Sequence, residues 1–330
     1  MKYRKLGQTC LTVSELGFGT WGIGGNAYGQ VDDNESKKAL KAAFTSGINF
    51  YDTANLYGNG HSEELLGEVF AGRRDEVIIA TKGGTLPHTT FDMPQDFSSR
   101  HIKEALVGSL KRLKTDYIDL YLLHSPKIVD IERNADLLNT LEASKKEGKI
   151  LAYGVSARTP DDAMRAIDKF GFNVVEVNFN LIDQRALGNG LFERARKDKL
   201  GLIIRTPLTF GFLTGKLHGD ETFVGTDHRS NWPKDQLKRW GQAHQLFSFL
   251  YKGKNRTPAQ AALRYCLDYE AVSTVIPGMI NIHEVDENVA SSGMSSLTVE
   301  EIDLIKHIYK EKEAEFYDRS FQKVKPNEAS

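Results

Sequence analysis

Eight short runs rich in β-branched and aromatic residues recur along the chain: ELGFGT (15–20), INFYDT (48–53), VIIATK (77–82), YIDLYLLH (117–124), ILAYGVS (150–156), VVEVNF (174–179), LGLIIRT (200–206) and STVIPG (273–278). Each is too short for a helix and is bounded by polar or turn-forming residues, so each predicts a strand. Between them apolar residues return at helical spacing. Over 34–46 the stripe is Ala39, Leu40, Ala43 and Phe44, with Asn34 as the candidate cap and Gly47 as the stop. Ser62 opens 62–70, with acidic residues in the first turn to suit the helix dipole. Ile102, Leu106, Leu110 and Leu113 mark 99–113, and 160–169, 190–198, 257–267 and 281–290 continue the pattern. Thr298 with Glu301 makes a capping box for a C-terminal helix over 298–315.

Eight strands alternating with helices predict an α/β fold, a (β/α)8 TIM barrel, as one domain over 1–330. The start, KYRKLGQTCLTVS, predicts a hairpin turning at Gly7-Gln8 and closing the barrel bottom. Residues 209–253, after the seventh strand, are too long for a simple connection. Their glycines, followed by Trp232, Pro233 and Trp240, predict a loop and an extra helix, an insertion that is a candidate lid. Residues 318–330 read as a loose tail.

Composition works mainly by exclusion. The formal net charge is −1, and no basic stripe interleaved with aromatics points to nucleic acid. No apolar run approaches the ~18 residues that span a membrane, and the N-terminus lacks the apolar core of a signal peptide. Cys10 and Cys266 form neither a disulfide framework nor a metal pattern; Cys266, in AALRYCL, reads as a small buried hydrophobe. These features suit a cytoplasmic protein with a small-molecule partner and no metal. Nothing in them sets an oligomeric state.

The C-terminal ends of barrel strands share one face, where such folds keep their chemistry. The second strand ends at Asp52, with Tyr57 in its loop; the third ends at Lys82 and the fourth at His124. Singly, each has a plain structural reading: a turn carboxylate, a surface phenol, a snorkelling lysine, a satisfied core histidine. Their convergence suggests more. A phenol is a poor acid near neutral pH, and a nearby ammonium lowers its pKa. Lys82 supplies that ammonium, Asp52 holds it, and His124 orients a carbonyl oxygen. The set suits protonation of a carbonyl oxygen by Tyr57 while hydride adds to carbon. No side chain donates hydride, so a nicotinamide cofactor is implied.

The ordered motifs FYDTANLYGNGHSEELLG, IIATKGG, YLLHSP, GVS, GFLTGK and VIPG resemble the aldo-keto reductase superfamily over about residues 3–310. The resemblance implies a (β/α)8 barrel, NADPH-dependent carbonyl reduction and a catalytic tetrad of Asp52, Tyr57, Lys82 and His124. It also carries cofactor contacts onto Gly19, Thr20, Trp21, Ser156, Glu176, Arg205, Leu208, Gly211, Lys216, Arg229, Gly278, Met279, Glu287 and Asn288. Substrate contacts fall on Trp21, His88, Phe91 and Trp232. A mouth of that kind suits ligands from sugars to aliphatic or aromatic aldehydes, or a nucleotide-linked ketosugar. The non-enzymatic alternative is a regulatory subunit that senses redox state through bound dinucleotide.

Three departures from the family pattern stand out. The turn GVSAR keeps Ser156 but has Ala157 where an Asn is common. Glu176 takes a Gln position and Arg205 an aromatic one, so the two can pair at the nicotinamide, or form a structural ion pair. In PGMINIHEVDEN (277–288), Ile280 stands where relatives carry an Arg for the 2′-phosphate, and no Lys or Arg occurs over 275–305. A helix N-terminus near Gly278 to Asn281, and His283 when protonated, remain for a phosphate. The expectation is NADP(H) on family grounds, with NAD(H) accepted comparably.

Overall fold

β1 (Tyr3–Lys5) and β2 (Thr12–Ser14) form the expected antiparallel hairpin. The turn passes through Gly7 at φ +58°, where a side chain would run into the Gly201 amide. The hairpin seals the barrel floor: Leu6, Leu11 and Val13 are buried against Phe50, Ala80, Leu120, Ala152, Val174 and Ile203. The computed structural model describes residues 1–25, 27–87, 93–223, 225 and 227–316; the tail reading lies outside them.

Eight parallel strands follow, each beside the next in chain order: β3 (Phe18–Gly19), β4 (Phe50–Asp52), β5 (Ile78–Gly83), β6 (Ile118–His124), β7 (Ile150–Ser156), β8 (Val174–Asn178), β9 (Gly201–Arg205) and β10 (Thr274–Val275). The edges meet. Leu16 bridges Val275 and Gly19 bridges Gly278, and the Gly17 amide donates to Val275 O at 2.8 Å. The fold is thus the (β/α)8 barrel, with helices packed around the ring over a second, larger apolar cluster.

Local chemistry explains the helix ends, with corrections. The first helix is Asp33–Thr45, and Asp32, not Asn34, caps it, accepting from the Asn34 and Glu35 amides. The second, His61–Val69, begins before Ser62. Ser62 is buried and ties the barrel mouth: it donates to Thr20 Oγ1 at 2.6 Å and accepts from Thr53 Oγ1 at 3.0 Å. Helices Ile128–Glu132 and Leu137–Lys146, between β6 and β7, were not anticipated, nor was Arg185–Gly188. The capping box holds: Thr298 N donates to Glu301, and Glu301 N to Thr298 Oγ1. The insertion contains the expected extra helix, Lys234–Leu246, whose Gln236 and Trp240 donate to Phe316 O at the end of the C-terminal helix.

Candidate active site

The strand period builds the site. Alternate residues point inward, so Phe50, Ala80, Leu120, Leu122, Ala152, Val174 and Ile203 fill the apolar interior. Two residues further along on these strands stand Asp52, Lys82, His124, Glu176 and Arg205. Register aligns them: His124 lies opposite Ser156, and Ser156 opposite Glu176. The polar layer therefore caps the apolar one, at the C-terminal rim.

Lys82 Nζ is fully buried at its centre. It donates to Asp52 Oδ1 at 2.5 Å, Thr53 O at 3.1 Å and Tyr57 OH at 3.4 Å, and lies 3.4 Å from Glu176 Oε2. Burial opposes its charge, but Asp52 and Glu176 together hold the ammonium well above its ordinary pKa. Burial, reinforced by Glu176, raises the Asp52 carboxyl above its ordinary pKa, while the Lys82 ammonium pulls it back down. Burial lowers the His124 pKa well below its usual value, aided by Lys82, Arg205 and Arg158, so the imidazole is neutral. Its ring lies edge-on to Tyr57, centroids 6.0 Å apart.

Tyr57 corrects one expectation. Lys82 does lower its pKa, but burial outweighs that, and the phenol rises to about 12. It is a protonated group across the neutral range, an acid in waiting. The tight turn after it needs Gly58, at φ +63°, where a side chain would meet Gly24 O.

Several polar atoms are buried without hydrogen-bond partners among the described residues: Asp52 Oδ2, Glu176 Oε2, His124 Nδ1 and Arg205 Nε. They all face the rim of one barrel end. Non-glycine residues with positive φ also gather there: Ser125 after β6, and Thr206, Thr209 and Phe210 after β9. Left-handed β-branched residues are strained, and such strain collects at working sites.

The aldo/keto reductase family model matches residues 15–310. This chain belongs to that family. It is 34% identical over 292 residues to an aldo-keto reductase of Bacillus subtilis (strain 168), covering 84% of this chain and 85% of that protein. Among solved structures, it is similar to the holo form of an aldo-keto reductase from Bacillus halodurans, with TM-score 0.76 and 31% identity over 93% of this chain and 96% of that one. It is also similar to a glycerol dehydrogenase from Gluconobacter oxydans, with TM-score 0.78 and 27% identity over 99% and 98%.

Against this aldo/keto reductase frame, the other predicted contacts divide. Ser156 is buried and donates to Glu176 Oε1 at 2.8 Å. The Glu176–Arg205 pair is loose, 3.9 Å at Nε, and Arg205 donates instead to Ala157 O at 3.0 Å; the main cation of Glu176 is Lys82. Thr20 is buried and spends its hydroxyl on Asp52 O, and the Met279 side chain is core, so each offers a ligand only backbone. Gly19, at the end of β3, and Leu208 and Gly211, in the segment after β9, are half-buried, and Gly278, after β10, is exposed. Lys216 bridges to Glu287 at 3.1 Å, joining the loop after β9 to the helix Ile282–Gly293, where Asn288 is buried.

Arg229 is not an open phosphate clamp. It forks onto Asp227 at 3.0 and 2.6 Å and lies over the rings of Tyr28 and Phe223, at 5.0 and 4.3 Å. Trp232 packs on Phe210 and Trp240. Trp21 contacts Tyr57, Tyr28, Phe210 and His228. His88 and Phe91 lie outside the described residues. Tyr28, Phe210, His228, Asn178 and Arg158 went unforeseen. Asn178 was legible, being two positions after Glu176 and so inward-facing; it accepts from Thr206 Oγ1 at 2.6 Å.

Proposed function

We propose that this aldo/keto reductase reduces an aldehyde or ketone, a small polyhydroxylated one being the first class to try, with a reduced nicotinamide dinucleotide and Tyr57 as general acid. The observation that carries the reading is Lys82, buried between Asp52 at 2.5 Å and Tyr57 at 3.4 Å. The orphaned rim atoms fit the cofactor's carboxamide. Glu176 and Ser156 would accept from its amide group, and Arg205 would donate to its oxygen. When bound, the cofactor supplies the hydride that no side chain can.

The chain's own residues handle the proton. His124, neutral, hydrogen-bonds the substrate oxygen. Tyr57 OH gives that oxygen its proton, and Lys82 stabilises the phenolate left behind. Asp52 keeps Lys82 charged and aimed. Trp21, Tyr28 and Trp232 offer ring faces to a substrate's carbon skeleton.

Cofactor choice is proposed to be relaxed. The Ile280 amide, which a 2′-phosphate would use, already donates to Glu284 Oε2 at 2.9 Å, and Lys216 is paired with Glu287. Loss of absorbance at the dihydronicotinamide band, across a panel of carbonyls with NADPH and NADH, tests both points. Dinucleotide binding without turnover on any carbonyl would shift the reading to a redox-sensing regulatory subunit.

A further inference from the structure

Glu176 is a fully buried carboxylate aimed at the same ammonium that Asp52 holds. A lysine needs one counter-ion to stay charged, so a second one calls for a reason. Asp52 Oδ1 and Glu176 Oε2 lie 2.5 and 3.4 Å from Lys82 Nζ, and the phenol oxygen of Tyr57 stands 3.4 Å from that same nitrogen. The field that Tyr57 feels is therefore that of one ammonium with two carboxyl groups packed against it within a few ångströms.

We propose that Glu176 is a positioning residue that sets the proton on Tyr57: as a second counter-ion to Lys82 it cancels the ammonium's pull on the phenol and keeps Tyr57 protonated into the alkaline range. The proposal rests on Tyr57 being the acid, as proposed above. The charged and titratable neighbours are Asp52 on β4, Lys82 on β5, His124 on β6, Glu176 on β8 and Arg205 on β9, with Arg158 beyond His124 and Tyr28, a phenol that burial holds protonated, across Trp21. His124 is neutral. Arg205 is 26% exposed in its side chain and touches Glu176 only at 3.9 Å, so solvent screens it and it does not replace the lost balance. The position of the phenol, raised by burial and, against Lys82 and a smaller pull from Arg205, by Asp52 and Glu176, agrees with this.

Glu176→Gln is the informative change. It keeps the side chain's shape and leaves an amide oxygen for the Ser156 hydrogen bond while removing the charge. A fluorinated tyrosine placed at position 57 of the full chain reports its own ionisation by fluorine NMR, without cofactor or turnover. The expected result is a phenol pKa about one unit lower in Glu176→Gln than with Glu176 present, and a value near the original in Glu176→Asp, which restores the charge. The alkaline limb of kcat/KM for carbonyl reduction, measured with the natural tyrosine, should move the same way. Identical fluorine titrations with and without the Glu176→Gln change would overturn the proposal, as would equal shifts in Glu176→Gln and Glu176→Asp. Failure of the acid assignment itself would look different: Tyr57→Phe would keep turning over while the fluorine shift persisted.

Discussion

Each end of the barrel buries a set of charges, and the two sets are finished differently. At the floor, Glu15 accepts from Arg4 at 2.6 Å and Ser292 at 2.8 Å, while Arg4 donates to the carbonyls of Leu267, Tyr269 and Val272. Arg264 donates to Asp268 and to Ser291 O, and Asp268 accepts from the Leu297 amide. Among the described residues, none of these side chains leaves a buried polar atom without a partner. At the rim, four of the five strand-end residues Asp52, Lys82, His124, Glu176 and Arg205 do. A closed network fixes the hairpin to the barrel; an open one keeps lone pairs and protons for a ligand. Unpartnered buried polar atoms are costly, and that cost marks where binding is expected to supply the missing partners.

The comparison can be broken from either end. Lys82→Met should give the largest effect, a loss of about a thousandfold in turnover, because Tyr57 loses the cation that accepts its developing charge; steady-state rates check it, and near-normal turnover would erase the distinction between the ends. Glu15→Gln should cost about 4 kcal/mol of stability, the usual penalty for breaking a buried pair, while the folded fraction keeps its kcat. Denaturant midpoints and rates on the same sample separate the two.

Acid sensitivity should also be confined to the rim. Burial lowers the His228 pKa to about 4, outweighing Asp227, so the folded state holds it neutral while the unfolded chain takes up a proton below about 6.5. Its contribution is complete above pH 6.5 and is lost as pH falls towards 4, amounting to about 3 kcal/mol. His228→Phe should flatten the fall in unfolding free energy across that window; an unchanged slope would place the acid sensitivity elsewhere. The smallest effect concerns Glu176 and Arg205. At 3.9 Å, their coupling in cofactor affinity, from Glu176→Gln with Arg205→Met in a double-mutant cycle, should stay below about 1 kcal/mol. A larger value would mean that Arg205, not Lys82, is the principal partner.

The sequence yielded the barrel readily because each strand is a contiguous apolar run and each strand end is a fixed address. Asp52, Lys82 and His124 could be placed at one rim by counting alone. What it concealed depends on long-range packing. Glu63 looked like a first-turn helix acid, yet it is buried and accepts from Thr81 at 2.5 Å and Arg112 at 2.7 Å. Arg229 looked available for phosphate because Asp227 beside it carries no sign that the two would fork together. His228 sits in a glycine-rich insertion with no periodicity, and only folding brings its amide to Ala27 O at 2.8 Å. The helix Leu137–Lys146 is legible in Leu137, Leu138 and Leu141, although Asp136 ahead of it provides no side-chain cap.

The central claim is that the rim exists to move a proton through Tyr57. Single-turnover oxidation of a saturating reduced nicotinamide dinucleotide by a carbonyl substrate, comparing the natural chain with Tyr57→Phe, tests it most directly. The account predicts a hydride-transfer rate lower by about a thousandfold or more, with dinucleotide affinity and thermal stability unchanged, because the phenol donates a proton and does not hold the cofactor. A Tyr57→Phe enzyme that keeps roughly half the natural rate, against that expected loss, would contradict it.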